Sequence, residues 1–388
     1  MVRSSVPPYS LQDNRNHPIP TREASYLHIT LVGDYNPARS TPGGTRAYVE
    51  ALHHYFHTSD ISHTLIFAGR EKTGEVCEVG VPVRQSNSSG HFLVSLATHL
   101  RSLGVPKDAI VHVPRPDYLL PFLATGVGRS FVCTLHGNPY RAMIERGHRF
   151  HLPVYPLAEP LLLRRTDAVV ATDLHTASDY AGRYPWIRQR LRFIPNGVDT
   201  STFRPMDKTA AKQRWNLGGT VFLYAGRLSP EKRVVEIMRS FRLLPEPTAR
   251  LVIAGDGPER DRILRQAEDP RIQILGVVDR TDMSGLINAS DAVVLYSTRE
   301  GLPAIALEAL ACGVPVITTP VGGLATLVRP GKDGLLVSNI EELVEAMARI
   351  VAGARFHVSD ILASVQEYDW SRVGSQLLDV YRGLAYAQ

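Results

Sequence analysis

Two cations, Arg227 and Lys232, stand five residues apart in LYAGRLSPEKRV, directly after a short apolar run. Fixed positive charge at a strand end, with Lys232 at the expected start of a helix, can neutralise a departing diphosphate without a metal ion. Either cation alone would pass for a solvated surface charge. Their place after Ala225-Gly226, where a strand should end, points instead to an anion. Farther along, TREGLPAIALEALACGVPVI carries two carboxylates, Glu300 and Glu308, with seven residues between them. The first falls in a loop and the second on a helix expected to begin near Pro303, since proline suits a first helical turn. Carboxylates beside a phosphate-binding cleft serve as acceptors for hydroxyl protons, and the hydroxyls of a sugar and a ribose fit that role.

Three further loops follow apolar runs. In TPGGTRAYVEALHHYF, Gly43 and Gly44 would let backbone amides approach a phosphate at a helix N-terminus. The same two glycines also suit a plain turn. His136, in VCTLHGNPYRAM, sits at an expected strand end, where a structural histidine and one reaching across a cleft read alike. Gly255 and Gly257, in GDGPER, imitate a dinucleotide fingerprint, but Arg260 takes the place of the third glycine. That loop reads better as a neighbour of a nucleotide than as a nicotinamide site. No serine or cysteine nucleophile arrangement accompanies these residues, and no ligand spacing marks a metal site among them.

The elements that must position these loops alternate. LHITLVG, HTLIFAG, IVHV, SFVCTLHG and DAVVAT are short apolar runs separated by helix-compatible stretches, and TVFLYAG, ARLVIAGDG, RIQILG, DAVVLYS, PVITT and DGLLV repeat the pattern. Such runs predict buried parallel strands with helical crossovers, hence an α/β fold of two doubly wound units. FIPNGVDTSTFRPMDKTAAK, rich in turn residues, reads as the connection. Ligands of such sheets bind beyond the carboxyl ends of the strands, so two facing units would enclose a cleft lined by strand-to-helix loops.

At 388 residues the chain is too long for one ordinary core. Residues 1–25 are polar and proline-rich and read as a mobile tail without a secretory signal. Cys77, Cys133 and Cys312 lie far apart, which argues against a disulfide framework and a zinc site and fits a reducing cytoplasm. The net charge of +5 is uneven: residues 1–198 carry 21 Lys+Arg against 15 Asp+Glu, and thirteen of the 14 histidines. That half could meet an anionic acceptor or the acidic inner face of a membrane, or simply be solvated. No basic block with interleaved aromatics suggests nucleic acid.

The ordered set LYAGRLSPEKRV, GDGP, NGVD and the spaced carboxylates followed by ALACGVPVI resembles glycosyltransferase family 4, a retaining family with the GT-B fold of two Rossmann-like domains. The resemblance is densest over residues 193–337. It implies a metal-independent transfer of a sugar from a UDP- or GDP-linked donor to an acceptor hydroxyl, on a glycan, a lipid-linked or a small molecule, with no cofactor. It further implies that Gly43 and Gly44 cover the donor diphosphate and that Arg227 and Lys232 hold it. Glu300, with the backbone of Gly301 and Leu302, would hold the transferred sugar, and Glu308 the ribose. His136 would stand near the sugar, and Gly255 and Gly257 beside the nucleotide. Many members have Gly-Phe-Gly after the first glutamate; here Gly301-Leu302-Pro303 removes one backbone N–H. The expected domains are 26–198 and 199–369, with 370–388 returning to the first. The same donor cleft would serve a nucleotide-sugar 2-epimerase or a non-catalytic partner subunit. An epimerase needs acid and base groups for the sugar carbon that the sequence does not offer. The loop 140–151, with Arg141, Arg146 and Arg149, is the expected acceptor side.

Overall fold

The computed structural model describes residues 27–35, 44–69, 77–82, 89–137 and 155–386. The expected tail, Gly43 and the arginines of loop 140–151 lie outside the described residues. Two parallel sheets organise the chain. The first has seven strands: β1 (Ile29–Gly33), β2 (His63–Ala68), β3 (Glu78–Val81), β4 (Ile110–Val113), β5 (Ser130–Leu135), β6 (Ala168–Ala171) and β7 (Leu191–Phe193). Their order is β3-β2-β1-β4-β5-β6-β7. The second has six: β8 (Val221–Ala225), β9 (Arg250–Ala254), β10 (Ile272–Gly276), β11 (Ala292–Leu295), β12 (Val316–Thr318) and β13 (Gly334–Leu336), in the order β10-β9-β8-β11-β12-β13.

Why these runs became parallel strands is visible in where alternate residues go. Ile29, Leu31, Leu65, Ile110, Val132 and Val170 enter one apolar cluster, while Val32, Ile66, Val111, Cys133, Leu135 and Val169 enter another on the opposite face. Side chains alternate across a strand, so a strand covered on both faces must be apolar throughout. Helix 44–58 supplies Tyr48, Val49, Leu52 and Phe56 to the first cluster, and helix 89–99 supplies Phe92 and Leu96 to the second.

The C-terminal helix, Trp370–Tyr386, buries Trp370, Val373, Leu377 and Tyr381 in the cluster of β1 and helix 44–58 rather than in that of the second sheet. The chain therefore crosses between the sheets twice, and the two crossings run side by side. Val198 N–H donates to the Tyr368 carbonyl at 2.7 Å, and Trp370 N–H to the Val198 carbonyl at 3.1 Å.

Two strands escape the sequence reading. β3 (EVGV) and β7 (LRF) are short edge strands that pair on one side only, so they carry no continuous apolar run. Phe193, read from sequence as part of the connection, closes β7.

Candidate active site

In each sheet the strand order reverses once, between β1 and β4 and between β8 and β11. At such a point the loops leaving neighbouring strands turn to opposite faces and leave a crevice at the carboxyl ends. The loop after β8 carries Arg227 and Lys232; the loop after β11 carries Glu300. Lys232 does not open the long helix, as its sequence context implies. It ends a short 3-10 turn, Pro230–Lys232, and the helix begins at Val234 after Arg233 takes a left-handed φ of 50°.

That turn aims Lys232 across the crevice. Its Nζ lies 2.6 Å from both Oε1 and Oε2 of Glu300, and the Ser297 hydroxyl donates to Glu300 Oε1 at 2.7 Å. The pair is largely enclosed, with side-chain exposures of 20% for Lys232 and 7% for Glu300. Arg227 is exposed at the end of β8, and its backbone carbonyl is held by the Tyr224 hydroxyl at 2.7 Å.

Both loops are shaped by backbone packing. Gly255 and Gly257 lie against the backbone of 226–228: a Cβ on Gly255 would overlap the Gly226 carbonyl oxygen, and one on Gly257 that of Leu228. Leu228 N–H donates to the Asp256 carbonyl and Glu259 N–H to the Leu228 carbonyl, each at 2.9 Å. The GDGP loop thus buttresses the loop of Arg227. Gly322 does the same for Glu300. Its φ is +54°, a Cβ there would overlap the Glu300 carbonyl oxygen, and Gly323 N–H donates to the Gly301 carbonyl at 2.8 Å.

Glu308 lies on the helix Ala304–Ala311, whose N-cap is Pro303. Burial pushes its carboxyl above the usual carboxylate range, and Arg280 pulls it back. Arg280 likewise acts on Glu50 of helix 44–58, so one exposed cation faces carboxylates from both halves of the molecule. Leu302 is buried, and its carbonyl accepts from Asn196 Nδ2 at 2.6 Å. The NGVD segment of the first crossing thereby grips the Glu300 loop.

On the first sheet, Gly44 starts helix 44–58 and is exposed. His136 follows β5 with its ring edge-on to Tyr48, centroids 4.6 Å apart. Its Nε2 is buried without a hydrogen-bond partner among the described residues, and burial lowers its pKa to about 4. The ring is therefore neutral near pH 7. Beneath it, His112 Nδ1 meets the Tyr381 hydroxyl at 2.6 Å, and His112 Nε2 meets Thr134 Oγ1 at 2.5 Å.

The sequence reading passes over several participants. Asp173, after β6, caps helix 174–183 by accepting from Thr176 N–H at 2.8 Å and Thr176 Oγ1 at 2.7 Å. Its Oδ2 stands 3.4 Å from where a Gly301 Cβ would be, so the first sheet reaches the Glu300 loop there. Ser297, Arg280 and Asn196 are the others. Asp173 carries an N-cap signature, Asp followed three residues later by Thr, but nothing in sequence shows what lies opposite.

Comparison with known proteins follows this division. Residues 42–202 match the family model described as Glycosyltransferase Family 4, and residues 205–357 match that described as Glycosyl transferases group 1. The two halves of the chain thus match two glycosyltransferase family models, the first of them family 4. The fold is GT-B. Sucrose-phosphate synthase from Thermosynechococcus elongatus superposes with a TM-score of 0.80 at 21% identity, covering 93% of this chain and 100% of that one. Anabaena Alr3699/HepE in complex with UDP and glucose gives 0.71 at 18% identity, covering 91% and 99%.

Among curated proteins, the D-inositol 3-phosphate glycosyltransferase of Nocardioides sp. is 29% identical over 254 residues, 58% of this chain and 56% of the relative. That of Mycobacterium tuberculosis (strain ATCC 25177 / H37Ra) is 32% identical over 212 residues, 50% and 44%. The chain spans about half the length of the curated relatives it matches. Among the described residues, no helix is long and apolar enough to cross a membrane.

Proposed function

We propose that this chain is a retaining glycosyltransferase that moves a sugar from a nucleoside-diphosphate donor to an acceptor hydroxyl, without a catalytic metal ion or cofactor. The observation that carries this reading is the Lys232–Glu300 pair, a cation 2.6 Å from both oxygens of a carboxylate at the strand-order reversal of the second sheet. A pyrophosphate entering beside Glu300 would offer Lys232 a denser anion than a carboxylate. Lys232 and the exposed Arg227 would then carry the charge of the departing diphosphate. Freed from the lysine, Glu300 would accept hydroxyl protons from the transferred sugar, with Ser297 keeping its carboxylate in place.

In the transfer, the bond from the anomeric carbon to the diphosphate breaks while the acceptor oxygen approaches on the same face. The acceptor proton passes to a departing phosphate oxygen. The sugar acquires oxocarbenium character, and the leaving phosphate is its counter-ion. Glu308 would accept from the donor ribose, while Gly43 and Gly44 would offer amides to the diphosphate. His136, neutral at pH 7, would hydrogen-bond the sugar through its Nε2, which meets no partner among the described residues. Gly255 and Gly257, with the backbone of Gly301 and Leu302, would shape the pocket. UDP is the first donor base to try, because the Anabaena relative was solved with UDP and glucose. The excess of Lys+Arg in residues 1–198 suits an acceptor bearing phosphate, and the name of the inositol-phosphate relatives points the same way. A lipid-linked acceptor would bring the chain to the inner face of a membrane.

The test is release of UDP or GDP from a panel of nucleotide sugars, with and without phosphorylated polyol acceptors, in the presence of EDTA. Acceptor-dependent release that survives EDTA, with the anomeric configuration kept in the product, supports the proposal. Strict dependence on an added divalent ion rejects it, and conversion of the donor sugar without any acceptor favours the epimerase.

A further inference from the structure

At the opposite end of the first sheet from the donor crevice, three elements bring His53, His63 and Cys77 together. His53 comes from helix 44–58, His63 opens β2, and Cys77 immediately precedes β3. One ligand atom of each lies within 4.8 Å of those of the other two. We propose that this cluster is a structural site for a borderline-soft divalent cation of the zinc class, joining the edge strand β3 to β2 and helix 44–58.

The hydrogen bonds around the two imidazoles say which atoms would ligate. His63 Nδ1 lies 2.7 Å from the Ile61 carbonyl, an acceptor only, so the proton sits on Nδ1 and Nε2 carries a lone pair. His53 Nε2 lies 3.2 Å from Glu78 Oε1, which places a proton on Nε2 and, in the neutral ring, a lone pair on Nδ1. Those two lone-pair atoms, His63 Nε2 and His53 Nδ1, face each other at 2.9 Å. Two lone pairs at that distance repel unless a cation, either a proton or a metal ion, lies between them.

A tetrahedral ion with Zn–N bonds of about 2.0–2.1 Å would hold the two nitrogens about 3.3 Å apart, an opening of a few tenths of an ångström. Cys77, as thiolate, adds a third donor to the two imidazoles, with a water to take the fourth position, a donor set that suits zinc and disfavours magnesium or calcium. The outer contacts are those such sites use. Glu78, with its side chain only 8% exposed, accepts the second N–H of His53, and a backbone carbonyl accepts that of His63. The sequence spacing hides the site because each ligand comes from a different element. Cys77, unlike Cys133 and Cys312, is not fully buried and forms no disulfide.

The test uses the full-length chain, stripped by a chelator and titrated with Co²⁺. The expected result is one equivalent bound, with thiolate-to-cobalt absorption in the near ultraviolet, and displacement by Zn²⁺ that raises the melting temperature. Cys77→Ser should lose the near-ultraviolet band. Glu78→Gln should weaken the metal about 10–100-fold while keeping it. A folded wild-type chain that gives no thiolate band, or a Cys77→Ser chain that keeps it, overturns the site. Should Cys77→Ser fail to fold, the wild-type spectrum and a His53→Gln titration decide the matter. Because the readout is metal binding, the site can fail while the transfer reaction stands, and the reverse.

Discussion

Lys232→Ala separates a structural from a chemical role for the cation that faces Glu300. Removing it leaves a carboxylate of 7% exposure with the Ser297 hydroxyl as its remaining hydrogen-bond partner among the described residues. Breaking a fully buried pair costs about 3–5 kcal/mol. Lysine exposure of 20% and the surviving Ser297 bond reduce this to about 1–3 kcal/mol, the cost of one under-satisfied buried group. For a domain of this size that is a fall of roughly 2–10 °C in melting temperature. Adding Glu300→Gln removes the stranded charge, so the double variant should recover most of that loss. Turnover should behave differently. A preorganised group that stabilises developing charge is worth about 3–4 kcal/mol, so transfer should fall by about 10²–10³-fold in Lys232→Ala and should not recover in the double variant. The assay pairs thermal melts with nucleoside-diphosphate release at saturating donor for all four proteins of the cycle. Turnover within about threefold of wild type in a folded Lys232→Ala chain, a difference of under 1 kcal/mol by the usual conversion, would refute the reasoning.

Gly322→Ala places a methyl on the Glu300 carbonyl oxygen at a φ of +54°, so it should lower turnover by at least about tenfold and destabilise by about 1–3 kcal/mol, read by kinetics and melts. Glu308→Gln should weaken donor binding more than it slows chemistry. Because burial raises the Glu308 carboxyl, wild-type donor affinity measured by calorimetry should decline as pH falls toward that raised value, and the glutamine variant should lose this dependence. His112 is held near pKa 3 and His136 near 4 by burial, both below the unfolded value of about 6.5. The unfolded chain then binds more protons, so stability is intact above pH 6.5 and falls with acid down to the folded values, by about 1.4 kcal/mol per pH unit for each ring. Denaturant melts at pH 7.5 and pH 5 should show this loss, and His112→Gln should remove roughly half of it.

The fold was legible where burial leaves a strand no choice. ITLVG, VFLYA, RLVIA and AVVL lie in sheet interiors with both faces covered, and such positions admit little but apolar residues. β3 and β7 were not legible. An edge strand has one neighbour, so EVGV and LRF need only satisfy a single ladder, and Phe193 can even remain exposed. The position of the candidate site loops was legible for a related reason. Arg227, Lys232 and Glu300 each follow a strand whose end can be read, and parallel topology sends every such end to the same side.

Partnership across the crevice is a different matter. Sequence assigns Lys232 to a diphosphate and Glu300 to a sugar, and has no means of pairing them, since the two lie 68 residues apart and meet only because β11 lies beside β8. Nor does it show Asp173 beside Gly301, or Arg280 shared by Glu308 and Glu50. Those meetings need two sheets at a fixed separation, and the paired crossings at Val198 and Asp369 bring the chain out to the second sheet and back. The pairing also changes how the cation should be regarded. A lysine with no anion beside it would sample many rotamers, whereas one clamped at 2.6 Å by two carboxylate oxygens has already given up that freedom. Under the proposed function, a donor diphosphate would then have only to compete with a single carboxylate for a charge that is already in place. Under the proposed function Glu300 would therefore have two uses: it holds the lysine ready before the donor arrives, and it would be freed to accept hydrogen bonds from sugar hydroxyls once the lysine turns to the phosphate.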